Sequence, residues 1–75
     1  MRYSDGRPVL IGDVIKMGDA VGKVVCDIEG RICDTPHDIN DWIYLERGIL
    51  ADFETLGLIH MENVEADVEL IKRAG

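Results

Sequence analysis

The alternation of apolar and polar residues along this 75-residue chain predicts short β-strands. The clearest segment is 23–28, in which Val24, Cys26 and Ile28 fall on one face of a strand. That face is wholly apolar, so we expect it to point inward. The segment 9–17 is also β-compatible, with Gly12-Asp13 marking a bulge or bend. Glycines at positions 18 and 22 predict the turn between the two segments, so 11–28 is interpreted as a β-hairpin.

The segment 45–61 admits two interpretations. Leu45, Ile49, Phe53 and Leu56 have the spacing of one helix face. Alternatively, 48–54 and 58–62 pair as a hairpin around residues 55–57. The glycines at 48 and 57 favour the hairpin, because each would cost about 1 kcal/mol inside a helix.

A last strand is predicted over 68–72, with Val68 and Leu70 inward. In these registers Leu50 and Ile71 face outward, and such exposed apolar residues would favour a homodimer. Five short strands with turns between them predict a single, mainly β domain over 1–75. We expect a small five-stranded SH3-like barrel with one long acidic loop.

That loop, residues 34–41, is polar and acidic and is interrupted by a proline. Long connections in compact domains tend to be functional. Trp42 and Tyr44 follow it directly, and aromatic residues beside charges make good anchors in protein interfaces. We therefore take as the candidate partner-binding residues Asp34, Asp38, Asp41, Trp42 and Tyr44. Trp42 is open to a second interpretation, a core residue that closes one end of the barrel.

The charge of the chain narrows the class of partner. Fifteen acidic residues against eight basic ones give a formal net charge of −7. Phosphate backbones and anionic membrane surfaces repel such a domain, so we expect neither nucleic acid nor membrane as a partner. A protein with a basic surface is the favoured one. The chain has no apolar run of about 20 residues and no secretory leader pattern, so we expect a cytoplasmic protein with Cys26 and Cys33 reduced.

Candidate catalytic and metal-binding patterns do not assemble in this sequence. Cys26, Cys33, His37 and His60 lack the short paired spacing of structural zinc sites. Gly-x-Ser-x-Gly is absent, and no Gly-Lys-Ser/Thr follows the glycines at 18–22. We therefore predict a protein that is not an enzyme, with no metal and no cofactor.

Two resemblances bear on function. The Gly-Asp-x-Val, Gly and Gly-x-Val pattern within 11–28 resembles the hairpin of KOW-type and other SH3-like barrels, which implies a scaffold rather than a catalytic site. KOW-type barrels bind ribosomes and transcription complexes through basic loops, which this acidic chain does not share. The chain is also similar to short acidic immunity-type proteins of bacterial toxin loci, through segments 22–25, 42–45, 57–60 and 67–71. Such proteins neutralise a cognate toxin by binding it.

The sequence thus predicts a non-enzymatic protein-binding module. Its specific form would be an immunity-type inhibitor whose acidic loop and adjacent aromatics cover a basic site. The alternative is a small-ligand or peptide-binding regulatory barrel with an aromatic groove formed by Tyr3, Trp42 and Tyr44. A third possibility is a metal-dependent enzyme subunit that uses Cys26, Cys33 and the histidines.

Overall fold

A computed structural model describes residues 2–63 and 67–73 of the chain. These residues form a mainly β fold, as predicted, and contain no α-helix. All strand pairings are antiparallel. The strands are β1 (Val14–Met17), β2 (Ala20–Asp27), β3 (Ile32–Cys33), β4 (Ile49–Phe53), β5 (Gly57–Met61) and β6 (Val68–Lys72).

The six strands form one sheet in the order β5-β4-β2-β1-β6, and β3 pairs with β2 outside this path. The last strand returns to pair with the first, so β6 and β1 are neighbours in the sheet. Strands β5 and β6 lie at the two ends of this path, and no ladder joins them within the described residues. The predicted closed five-stranded barrel is therefore not confirmed. The sheet is open and has a sixth strand, β3. This strand was not predicted, because its two residues are too few to show an alternating pattern.

The strand bounds differ from the predictions mainly at the first hairpin. Gly18 and Asp19 alone make the turn, since Met17 and Ala20 already pair. Gly22 therefore lies inside β2, paired with Ile15, and the prediction that it belongs to the turn is wrong. The hairpin interpretation of 45–61 is confirmed over β4 and β5.

The main hydrophobic core lies on one face of the sheet. Its centre is Ile15, Val24 and Phe53, each almost completely buried. Val68 is buried with them and Leu70 packs against them, as predicted for β6. The remaining buried members of this first cluster are Tyr3, Val9, Ile49 and Ala51.

A second hydrophobic cluster covers part of the sheet elsewhere and consists of Val25, Cys26, Ile28 and Leu50. Leu50 alternates with Ile49 and Ala51 of the first cluster, so it projects from the opposite face of β4. The prediction that Leu50 faces outward to solvent is wrong, because it is only 2% exposed. Ile71 does face outward, with 54% of its surface exposed.

A register shift in β2 explains why that strand contributes to both clusters. The β2–β4 ladder pairs Val24 with Ala51 but then Cys26 with Leu50, so Val25 is the extra residue of a β-bulge. Val24, Cys26 and Ile28 are all buried, as predicted. They do not share one face, however: Val24 belongs to the first cluster, and Cys26 and Ile28 belong to the second.

The two cysteines form a disulfide, so the expectation of reduced thiols is wrong for this structure. Residues 28–31 reverse the chain and bring β3 alongside β2, where Cys33 pairs directly with Cys26. Disulfides persist mainly in oxidising compartments, and those of cytosolic proteins are usually transient, catalytic or redox-sensing.

Candidate functional site

The candidate site lies on the connection between β3 and β4, residues 34–48. Asp27 of β2 pairs with Ile32 on one side and with Ile49 on the other. The connection therefore starts on one edge of β2 and ends on the other, and it must cross the sheet. Trp42 and Leu45 pack against the second cluster, so the crossing covers that face.

Two short 3₁₀ helices shape the middle of the connection. In the first, Ile39–Asp41, the Asp38 carboxylate accepts a hydrogen bond from the backbone N–H of Asn40 at 2.9 Å. This is the usual role of aspartate at a helix start. In the second, Ile43–Leu45, the N–H of Leu45 donates to the Trp42 carbonyl at 3.0 Å. These bonds fix the backbone that carries the candidate aspartates and aromatics.

A tight turn at Glu46 returns the chain to the sheet. Glu46 has φ 68° and ψ −34°, and the N–H of Arg47 donates to the Leu45 carbonyl at 2.8 Å. This arrangement is close to the γ-turn with positive φ, which is rare and strained in residues other than glycine. Gly48 follows with φ 92°, and its N–H donates to the Glu29 carboxylate at 2.9 Å. The end of the connection is thus fixed beside the start of β4.

The structure divides the predicted site residues into two groups. Asp38, Asp41, Trp42 and Tyr44 lie on the two consecutive 3₁₀ turns. Asp34 lies at the start of the connection, half-buried. Its N–H donates to the Val25 carbonyl at 2.7 Å, and its carboxylate is 3.6 Å from the Lys23 ammonium. That ion pair is exposed to solvent and contributes little to stability.

The two aromatic residues have different surroundings. Trp42 is half-buried against the second cluster, so it supports the turn that carries its neighbours. Tyr44 is 70% exposed, and Ile43 beside it is 37% exposed. Ile43 is not among the predicted site residues, although its position between Trp42 and Tyr44, just after an acidic stretch, could have indicated it. Together, Asp38, Asp41, Ile43 and Tyr44 form an exposed acidic and apolar patch, which we call the 38–44 patch.

The aromatic groove of the alternative interpretation does not form. Tyr3 is buried in the first cluster, whereas Trp42 packs against the second. A cavity of about 260 Å³ lies instead between the N-terminal turn and β6, and it is lined by Tyr3, Ser4, Asp5, Arg7, Val68, Glu69 and Leu70. This volume is below the usual range for small-molecule pockets.

A buried polar cluster that the sequence did not reveal holds the N-terminal segment against β1. Asp13 is fully buried. Its Oδ2 accepts hydrogen bonds from the Tyr3 hydroxyl at 2.6 Å and from the Leu10 N–H at 2.9 Å. Within the described residues Oδ1 has no hydrogen-bond partner, and the Arg73 Nε lies 3.6 Å from it as an ion pair. Burial raises the pKa of Tyr3 well above its usual range, and the hydrogen bond to Asp13 adds to that effect.

The residues weighed as a zinc set have other roles or lie apart. Cys26 and Cys33 are joined to each other, and the Nε2 of His60 lies 2.9 Å from the Arg47 carbonyl oxygen. Among residues 2–63 and 67–73, histidines, cysteines and carboxylates nowhere form a group of three suited to a metal ion. In the same residues no helix has the length and apolar character needed to span a membrane.

Comparisons of the chain with models of protein families, with curated proteins and with solved structures gave no significant match. The relationships to SH3-like barrels and to immunity-type proteins therefore remain predictions.

Proposed function

We propose that this protein is a non-enzymatic binding module that docks a protein partner with a basic surface through the 34–48 connection. Its contact surface would be the 38–44 patch, held in place by Trp42. The observation that carries the proposal is the exposure of Ile43 and Tyr44 on a turn fixed by backbone hydrogen bonds, with Asp38 and Asp41 exposed beside them.

Anchoring by Tyr44 and electrostatic steering by the acidic residues would both favour binding. Tyrosine is among the residues that contribute most to binding energy at interfaces, and a turn that is already ordered loses little entropy on binding. The aspartates and the net charge of −7 attract a cationic surface and speed encounter. An immunity-type inhibitor that covers a basic site on a toxin is the specific form we propose.

We extend the proposal to the fold relationship and the cellular location of the protein. An SH3-like relationship is supported by the return of β6 to pair with β1, and five of the six strands lie in the main path of the sheet. We also propose a cytoplasmic location. A homodimer remains a prediction that now rests on Ile71, since Leu50 is buried.

A titration of the isotopically labelled full chain with a lysine- and arginine-rich peptide tests the contact surface. We expect amide shifts to concentrate in residues 38–45. Raising NaCl from about 50 to about 500 mM should weaken binding by about tenfold or more, because exposed charges are screened. Tyr44→Ala should weaken binding about fivefold or more, as truncation of an anchor does. Leu56→Ala, at an exposed apolar residue of the β4–β5 turn, is the matched control.

A pair of double variants separates a local patch from general charge attraction. The first variant combines Asp38→Asn with Asp41→Asn and removes two exposed negative charges from the patch. The second combines Asp52→Asn with Glu54→Gln and removes two exposed negative charges from β4 and the turn after it. We expect the first to weaken peptide binding several times more than the second. Equal losses, or shifts spread evenly over the sheet, would show that the patch is not the contact surface.

A further inference from the structure

The Cys26–Cys33 disulfide lies at the point where the candidate connection leaves the sheet. Strand β3 consists of only Ile32 and Cys33, and its ladder with β2 has two residue pairs. Ile32 is exposed and Cys33 is half-buried, so β3 buries little apolar surface of its own. A ladder this short is not stable without further support. The disulfide supplies that support.

The two ends of the connection are held in different ways. The far end continues into β4, which has five residue pairs with each of β2 and β5. The near end depends on the disulfide, the Asp34 N–H bond to the Val25 carbonyl and the exposed ion pair with Lys23. Loss of the disulfide would therefore release the near end while β4 keeps its place.

The disulfide also belongs to the surface that supports the patch. Cys26 is a buried member of the second cluster, and both Cys33 and Trp42 pack against that cluster. The shape of the cluster beneath Trp42 therefore depends on whether the two sulfurs are bonded. We infer that reduction and reformation of the Cys26–Cys33 disulfide regulate the 38–44 patch by releasing and fixing the near end of the connection. This inference rests on the proposed function of that patch.

The reduction step needs a dithiol as reductant and proceeds by thiol–disulfide exchange. A thiolate of the dithiol attacks Sγ of Cys33, the less buried of the two. A mixed disulfide forms there, and Cys26 leaves as a thiolate that takes up a proton. The second thiolate of the reagent then attacks its own sulfur in the mixed disulfide, closes the oxidised dithiol and releases Cys33. Two electrons pass to the protein sulfurs, and the reagent is oxidised.

Amide hydrogen exchange on the full chain, oxidised and then treated with dithiothreitol, tests the regulation without any partner. We expect exchange in residues 34–45 to accelerate about tenfold or more on reduction, while residues 49–61 stay protected, since local opening leaves the rest of a fold intact. Fluorescence of Trp42, the single tryptophan of the chain, should change in parallel and recover on reoxidation with oxidised glutathione. Cys33→Ser should behave like the reduced chain and show no response to dithiothreitol.

Two results would overturn the inference: unchanged exchange in 34–45, or loss of protection across 49–61 as well. The second would show that the disulfide supports the whole fold rather than the connection. The basic-peptide titration, repeated on both redox forms, keeps the two proposals apart. A peptide that binds both forms equally contradicts the regulation alone, whereas accelerated exchange with no peptide binding to either form contradicts the proposed function alone.

Discussion

Replacement of Leu50 by alanine tests whether the 34–48 connection covers the second face of the sheet. Leu50 is 2% exposed and belongs to the cluster against which Trp42 and Leu45 pack. On an uncovered face, this position of β4 would be open to water. Burial of Leu50 is therefore a direct consequence of the path that the connection takes.

The loss of stability expected for Leu50→Ala follows from the atoms removed. Leucine to alanine deletes three carbon atoms, worth about 0.8 kcal/mol each on transfer from water, or about 2.4 kcal/mol together. Incomplete collapse of the cavity adds to this, so we expect a loss of about 3 kcal/mol in the free energy of unfolding. A chain of this length has a total of roughly 4–11 kcal/mol. The loss would therefore lower the melting temperature by roughly 12–24 °C.

Urea unfolding, followed by far-UV circular dichroism and by Trp42 fluorescence, measures the change. Leu56→Ala is the matched control, because Leu56 lies in the β4–β5 turn and is 53% exposed. Its effect should stay within about 0.5 kcal/mol. If Leu50→Ala were as mild as Leu56→Ala, the second face would be open, and Trp42 would not support the patch.

Two further predictions concern the backbone at Gly48 and the buried cluster at Tyr3. In urea unfolding, Gly48→Ala should destabilise the fold by several kcal/mol more than Gly57→Ala. Both glycines have positive φ, but only at Gly48 would a Cβ overlap the Met61 carbonyl oxygen. Equal effects would place β5 farther from Gly48. The raised pKa of Tyr3 favours its neutral form in the folded chain, so its contribution is complete below about pH 10 and is lost as the pH rises above that value. Tyr3→Phe should cost about 1–3 kcal/mol at pH 7 and flatten this alkaline loss. The exposed Tyr44→Phe should change the free energy of unfolding at pH 7 by no more than about 0.5 kcal/mol. A steep alkaline loss that persists in Tyr3→Phe would assign that loss to another group.

Local sequence patterns predicted where several strands lie, although they did not predict which face each residue of β2 occupies. Alternation in β2 and β6, and the glycines at 48 and 57, were enough to locate these strands and to favour a hairpin over a helix. Burial of Val24, Cys26, Ile28 and Val68 followed from the same patterns. These features depend on residues that are neighbours along the chain, so they can be predicted from a single sequence.

Tertiary structure alone decided which face each residue occupies and what covers it. A single bulge at Val25 divides β2 between two clusters, and the crossing connection buries Leu50 on the face predicted to be open. The disulfide depends on the register of β3 with β2, which the spacing of two cysteines does not specify. Tyr3 and Asp13, ten residues apart, meet only because the N-terminal segment folds back on the core.

In the candidate site, too, some features were predicted from the sequence and others were decided by the tertiary structure. Asp38, Asp41, Trp42 and Tyr44 stood out from composition and position along the chain, and the structure places them on consecutive turns. From the sequence alone, Trp42 could be a core residue or an interface residue, because both environments favour a large aromatic ring. The path of the connection across the sheet decides the matter: Trp42 packs inward on the second cluster, and Tyr44 is left exposed.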